Sequence, residues 1–289
     1  MEAKAFLNTL LVKNKRLGAA IVRTSAIMVL VIFTALLSAC SGRVESTIIV
    51  AGSTSVQPYA EILAEEFALI YPEGKIDIQG GGSSSGITAA ETGTADIGMS
   101  SRLLKESEKN FWVIEIAKDG LAVVLNRQNP IDSLTLEQVC DIYSAKTVNW
   151  RELGGQNAKI HVIAREEGSG TRSAFEDLVM GKDRRITPRA IVQDSNGAVR
   201  QLVSDDPNSI GFISLGLVDS SVKAIELDGI AATRENVING SYSLYRPFLF
   251  VAKDLPTGIA RQFVDFVLSE DGQRLLVHEG LIPEKGSEE

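Results

Sequence analysis

The chain has 289 residues, 44% of them apolar, 23% charged and 6% aromatic, with a formal charge of −8. That balance is too apolar for a disordered chain and too polar for a multi-span membrane protein, and the length suits one large domain or two ordinary ones. A nucleic-acid binder would carry a basic excess, so the charge speaks against that partner.

At the N-terminus, Lys4, Lys13, Lys15, Arg16 and Arg23 precede an apolar run from Ala26 to Leu37, and Leu37-Ser38-Ala39-Cys40 follows. A basic start, an apolar stretch of about a dozen residues and small residues before a cut predict an export signal over residues 1–39. The Cys after Leu-Ser-Ala resembles a bacterial lipobox. That resemblance implies Cys40 as the lipidated first residue of the mature chain and a lipid anchor on the extracytoplasmic face of the cell membrane. An ordinary signal anchor with a chance cysteine is the alternative. Residues 1–39 hold five basic side chains and one acidic one, so the remaining chain carries −12.

Beyond a brief tether after Ser41, short apolar runs predict strands at Thr47–Ala51, Lys75–Gln79, Ala95–Ser100, Leu121–Asn126, Lys159–Ala164, Ser209–Leu215 and Leu244–Lys253. Helix-period stretches lie between them, such as Leu63, Phe67 and Ile70, or Phe175, Leu178 and Val179. This alternation predicts an α/β architecture with mixed, mostly parallel sheets and ligand sites at the carboxyl ends of strands. Pro130, in Arg127-Gln128-Asn129-Pro130, discourages continuation of a strand and suggests a crossing between two lobes; a second crossing is expected near Tyr242–Pro247. Two crossings place residues 46–122 plus 248–289 in one lobe and 125–245 in the other.

Four strand ends run into Ser/Thr/Gly-rich turns that open a helix. They are Ala51-Gly52-Ser53-Thr54-Ser55-Val56, Gly80-Gly81-Gly82-Ser83-Ser84-Ser85-Gly86, Arg165-Glu166-Glu167-Gly168-Ser169-Gly170-Thr171-Arg172 and, more weakly, Ser195-Asn196-Gly197-Ala198. A helix start leaves backbone N–H groups unpaired and carries partial positive charge, glycine lets that backbone approach a ligand, and hydroxyls add rotatable donors. One such turn is an ordinary N-cap. Several in one chain, one of them carrying Arg165, describe a cage of donors for a small oxyanion.

Other chemistries find little support. Gly82-Ser83-Ser84-Ser85-Gly86 fits the G-x-S-x-G pattern of a serine hydrolase with Ser84 as nucleophile, and His278 is the one histidine in the expected chain order to serve as its base. The match is short in a chain rich in Gly and Ser. Metal binding is not expected, since His161 and His278 are the only histidines and no Cys/His cluster occurs. No phosphate-loop motif or other cofactor signature is present. Cys140 follows Leu136 and Val139 and precedes Tyr143 at helical spacing, which predicts a small buried hydrophobe.

At these turns the chain closely resembles the substrate-binding lipoproteins of bacterial phosphate ABC transporters. The shared segments are Ala-Gly-Ser-Thr-Ser-Val, Gly-Gly-Gly-Ser-Ser-Ser-Gly-Ile, Ala-Asp-Ile-Gly-Met-Ser-Ser-Arg, Asn149-Trp150 with Leu153-Gly154-Gly155, and Arg-Glu-Glu-Gly-Ser-Gly-Thr-Arg. They span nearly all of residues 46–289. The resemblance implies the type II periplasmic-binding fold, two α/β lobes on a two-strand hinge, and a monomeric, non-enzymatic receptor. It further implies that phosphate is buried in the cleft and handed to permease subunits; another tetrahedral oxyanion, such as sulfate or molybdate, is the alternative ligand. By position it implies phosphate contacts from Thr54, Ser55, Ser83, Arg165, Ser169, Gly170 and Thr171. Glu167 stands where some members have an acidic residue that holds the Arg. Ser101 falls where some members have an Asp that accepts the proton of hydrogen phosphate.

Overall fold

A computed structural model describes residues 46–283. The predicted signal and Cys40 lie outside the described residues. Nine strands form one continuous mixed sheet in the order β2-β1-β3-β11-β4-β8-β6-β7, with β9 also pairing β4. The strands are β1 (Ser46–Gly52), β2 (Gly74–Gly80), β3 (Ile97–Ser100), β4 (Trp112–Asn126), β5 (Ser133–Leu134), β6 (His161–Arg165), β7 (Ile191–Gln193), β8 (Ser209–Ser214), β9 (Val222–Ala224), β10 (Glu226–Leu227) and β11 (Tyr245–Ala252). β5 and β10 make a separate parallel pair. All seven predicted strands are present, with ends moved by a few residues. The reading missed the first half of β4, whose mixed charged and apolar residues hide the pattern, and the two- and three-residue strands β5, β7, β9 and β10.

Pairing is parallel towards both outer ends of the sheet, in β2-β1-β3 and β8-β6-β7, and antiparallel in the middle. The middle consists of β4 and β11, which form the two-strand hinge. Residues Trp112–Gly120 of β4 pair with β11, whereas Leu121–Leu125 pair with β8. The exchange of partner therefore falls at Gly120/Leu121, ahead of the Arg127–Pro130 turn that ends the strand.

Two cores flank this exchange. Residues of 48–117 and 248–281 pack around Phe67, Phe250 and Phe263. Residues of 121–244, with Ile282, pack around Tyr143, Trp150, Phe175 and Phe212, where the Phe175 and Phe212 rings stack at 4.1 Å. Along the second half of β4, Leu121, Val123 and Leu125 enter that second core, while Ala122 and Val124 enter a third cluster beneath the 196–205 helix. Both faces of the strand are thus buried, which is why it reads as a continuous apolar run.

The helices are α1 (Gln57–Ile70), α2 (Ser83–Thr92), α3 (Leu136–Tyr143), α4 (Gly170–Phe175), α5 (Asn196–Asp205), α6 (Arg234–Ile238), α7 (Gly258–Leu268) and α8 (Glu270–His278). In α1 the buried stripe is Tyr59, Ala60, Leu63, Ala64 and Phe67, and Pro58 stands in the first turn, where its missing N–H costs nothing. Ile70, expected on that stripe, is exposed at the helix end. The Phe175–Val179 pattern also breaks: α4 passes into a π-type turn at Glu176–Met180, whose extra residue shifts the phase so that Leu178 faces solvent and Met180 is buried. Cys140 is a buried free thiol on α3, among the apolar side chains expected around it.

Candidate functional site

The four turns meet at the hinge. β1 and β2 deliver the first two turns from one side, and β6 and the segment before α5 deliver the others from the opposite side. Gly82, the N-cap of α2, has a positive φ of 89°, and a Cβ there would stand 3.2 Å from the Glu166 carboxylate, so glycine permits both the turn and the approach of the opposite loop. Four contacts cross the cleft. The Ser84 amide donates to the Gly168 carbonyl at 3.1 Å, and the Arg165 Nη2 donates to Thr54 Oγ1 at 3.1 Å. Ser55 Oγ meets Thr171 Oγ1 at 2.9 Å and accepts from Asn196 Nδ2 at 2.9 Å.

Arg165 is fully buried. Its Nε and Nη2 donate to the two carboxylate oxygens of Glu166, each at 3.0 Å, and Nη2 also reaches the Asp194 carbonyl. Its Nη1 is buried with no hydrogen-bond partner among the described residues. The acidic partner is therefore Glu166; Glu167, expected in that role, is exposed. Both glutamates lie just beyond the end of β6, in the turn before α4, where strand alternation no longer applies and the residue next to Arg165 can fold back along the guanidinium.

The hydroxyls have defined directions. Ser101 Oγ accepts from Ser53 Oγ at 2.8 Å, and Ser83 Oγ accepts from the Ser101 amide at 3.0 Å while lying 3.4 Å from Ser101 Oγ. Ser169 caps α4 by accepting from the Arg172 amide. Gly170 sits so close to the other side that a Cβ would fall 2.3 Å from Ser83 Oγ and 2.5 Å from Ser101 Oγ. Thr54, Ser55, Ser83, Ser101, Arg165, Ser169, Gly170 and Thr171 are thus brought to one cleft.

Five more residues belong to this cluster: Ser53 and Asn196 stand in two of the donor turns without having been singled out, and Arg246, Asp119 and Ser214 were missed from sequence. Arg246 of β11 and Asp119 of β4 are register partners on the hinge and form a fully buried ion pair, with Nε and Nη2 at 3.1 and 2.9 Å from Asp119 Oδ2. Ser214 donates to Asp119 Oδ1 at 2.8 Å. Burial pushes the Asp119 carboxyl above its ordinary value against the pull of Arg246, and burial pushes the Arg246 guanidinium down. Arg246 Nη2 also donates to Ser55 Oγ at 3.0 Å, and its Nη1 lies 3.5 Å from Ser101 Oγ. Asn196 accepts from the Ser214 amide, which fixes its amide with Nδ2 towards Ser55. Ser53 completes the set. A charged residue inside the apolar Leu244–Lys253 run was the available signal for Arg246.

Ser84 has no histidine beside it. Its hydroxyl accepts from Arg102 Nη2, which is itself gripped by Glu108; His161 pairs with Asp206 and His278 with Glu279. Among the described residues no cluster of three His, Cys, Asp or Glu could hold a metal, and no helix is long and apolar enough to cross a membrane.

A hydroxyl-lined cleft astride two hinge strands, joined by hydrogen bonds from both sides, defines a two-lobed ligand-binding protein of the type II periplasmic class. The family model described as a PBP superfamily domain matches residues 38–271, and the chain belongs to that superfamily. It is 30% identical over 247 residues to the phosphate-binding protein PstS of Bacillus subtilis, covering 83% of this chain and 82% of that protein. To PstS of Pseudomonas aeruginosa it is 32% identical over 278 residues, covering 85% and 84%. A solved structure described as a phosphate ABC transporter substrate-binding protein with bound phosphate, from Clostridium perfringens, is 45% identical, with a TM-score of 0.81 and coverage of 83% and 100%. A phosphate transport receptor of the ABC type from Vibrio cholerae is 40% identical, with a TM-score of 0.69 and coverage of 82% and 100%.

Proposed function

We propose that this protein is an extracytoplasmic receptor that binds inorganic phosphate and delivers it to an ABC permease. It is a non-catalytic substrate-binding transport protein. The observation that carries the ligand class is the Arg165 Nη1, a buried guanidinium nitrogen with no hydrogen-bond partner among the described residues, in a cleft that also holds the hydroxyls of Thr54, Ser83, Ser101, Ser169 and Thr171. A buried donor left unpaired is costly, and a tetrahedral oxyanion is the ligand that satisfies a charged donor and several hydroxyls together.

The anion is held by Thr54, Ser55, Ser83, Ser101, Arg165, Ser169, Gly170 and Thr171, and the Ser55 and Thr171 hydroxyls also join the two sides of the cleft. The lobes are residues 46–122 plus 248–289 and residues 125–245, and ligand closes them because donors come from both. The chain is a monomer, with residues 1–39 as its export signal and lipid on Cys40 as its anchor. Cys40→Ser should release the protein from the membrane with phosphate affinity intact; normal lipid labelling of that variant would remove the anchor reading. Calorimetric titration with phosphate, sulfate, arsenate and molybdate tests the receptor reading. Saturable 1:1 binding of phosphate is expected, and failure to bind phosphate would overturn it.

A further inference from the structure

β1 starts at Ser46 and reaches the cleft at Gly52, so Ser46 marks the end of that half of the sheet farthest from the ligand, roughly 20 Å away at about 3.3 Å per residue. Other segments meet there. Gly74 opens β2 as the register partner of Ser46, and its amide donates to the Tyr71 carbonyl in the turn that leaves α1. β11 ends at the same side, with Val251 opposite Gly98 of β3 and Ala252 opposite Trp112 of β4. From Lys253 the chain crosses to α7, where Ile259 lies 3.1 Å from the position a Cβ on Gly74 would take. Phe67 of α1 touches that same position at 3.2 Å. Leu255 is therefore carried from β11 towards the start of β2 and the end of α1.

The side chains that this end turns outwards are apolar. Leu69, Ile70 and Leu255 are 78%, 54% and 57% exposed. Tyr71, half-buried beside them, adds an amphipathic ring of the kind favoured at membrane interfaces. The charged residues of the same segments, Glu73, Lys75, Lys253 and Asp254, are two of each sign and cancel, whereas the chain after residue 39 carries −12. A single exposed apolar side chain needs no explanation. These three converge from segments far apart in sequence, at the place where the described chain continues from the predicted anchor. Only residues 41–45 stand between Cys40 and Ser46, and that stretch reaches at most about 20 Å when fully extended. With lipid on Cys40, this end is held within that distance of the bilayer.

We propose that Leu69, Ile70 and Leu255 form a seat for the lipid bilayer: this face enters the interface of the membrane that carries the Cys40 anchor and leaves the cleft, a strand length away, free for ligand. The inference rests on the anchor reading above. Apolar side chains gain by leaving water for the headgroup and acyl boundary, and the short tether keeps them at the concentration where that gain is realised. The acidic excess lies on the rest of the chain, and an anionic bilayer surface repels it, so the apolar end is the face turned towards the lipid.

The test uses the mature, lipidated protein in vesicles of phosphatidylethanolamine and phosphatidylglycerol that contain lipid spin-labelled on its acyl chain. Cys140 is buried and Cys40 carries the lipid, so a cysteine introduced at the surface can be labelled with bimane. The two positions are Leu255 and, as a control, Leu103, which is exposed and follows β3 at the cleft end. Labelled Leu255→Cys should show blue-shifted emission and strong quenching by the spin-labelled lipid, and labelled Leu103→Cys neither. Adding Leu69→Ser and Ile70→Ser should bring quenching at Leu255→Cys down to the Leu103→Cys level, with phosphate affinity unchanged. Tethering alone would keep the probe near the surface without that loss, so undiminished quenching in the serine variant overturns the proposal. Equal signals at the two positions overturn it too. A blue shift without quenching would overturn it in favour of a second copy, or another stretch of protein, covering the patch. These outcomes leave the anchor reading intact, whereas absence of lipid on Cys40 would remove both. If melting shows the serine variant unfolded, the contrast between Leu255→Cys and Leu103→Cys stands as a test by itself.

Discussion

Ser55 and Thr171 are 116 positions apart in the chain, and their hydroxyl oxygens meet at 2.9 Å across the cleft. Ser55 is the crossing point of the cleft's polar network, since Asn196 and Arg246 also end on it. Ser55→Ala removes one acceptor from two buried donors and one donor from Thr171. A buried group losing its partner costs about 1–3 kcal/mol, and about 1.4 kcal/mol is tenfold in affinity. Phosphate binding should weaken by about 10–100-fold in a calorimetric titration. A change under about twofold would show that these bonds do not help to form the ligand-bound state.

Arg165 and its carboxylate partner make a second, sharper contrast. Arg165→Ala removes the charged donor whose Nη1 has no hydrogen-bond partner among the described residues, and charge-assisted bonds contribute about 1.5–3 kcal/mol. A loss of at least about tenfold in phosphate affinity is expected. Glu166→Gln should weaken binding by less, because one amide oxygen can still accept from the guanidinium, and Glu167→Gln should leave it unchanged. Equal effects of the two glutamine variants would remove Glu166 from the role its bidentate contact gives it.

The strand–helix alternation and the loops at strand ends were legible because each is a local pattern. Runs such as Thr47–Ala51 and turns such as Ser169-Gly170-Thr171 carry their own periodicity or their own glycines. The missing parts were non-local. Arg246 and Asp119 are recognisable as partners only once β11 and β4 lie in register, and nothing near either residue announces the other. Glu166 and Glu167 are adjacent and chemically alike, so the choice between them is made by the direction of the backbone after β6. Residues near Leu178 kept a helical rhythm in sequence, while the π-type turn altered which side chains it buries.

Acid should loosen the second turn from outside the cleft. Arg102 hydrogen-bonds Glu108 with both terminal nitrogens, at 2.7 and 2.9 Å, and holds Ser84 Oγ with one of them. The hydrogen bond from Arg102 keeps the Glu108 carboxyl below its ordinary value, against a smaller opposing effect of burial. A carboxylate depressed in the folded state adds stability above its unfolded pKa, and that stability is lost as pH falls through the folded value. Melting temperature should therefore drop in this acid range more steeply for the wild type than for Glu108→Gln. Parallel curves for the two proteins would show that the pair adds nothing to the pH dependence.

Gly170 separates closure from folding. It begins α4 on the Arg165 side of the cleft, and a methyl group there would stand 2.3 Å from Ser83 Oγ and 2.5 Å from Ser101 Oγ on the other side. Its φ is not among the positive values of the chain, so alanine suits its backbone. The conflict in Gly170→Ala arises only where the two sides meet, and atoms this close cannot be accommodated without moving the loops apart. Gly170 is buried between the two sides, and parting them relieves the conflict at the cost of bonds across the cleft, so the ligand-free variant should stay folded and melt within about 0.5–3 kcal/mol of wild-type stability. Its phosphate affinity should fall by more than about 100-fold, and small-angle scattering should show no compaction on adding phosphate, because donors from one side no longer reach the anion held by the other. A variant that still compacts and binds as the wild type does would show that the cleft closes less tightly around its ligand than the contact of Gly170 with Ser83 and Ser101 requires.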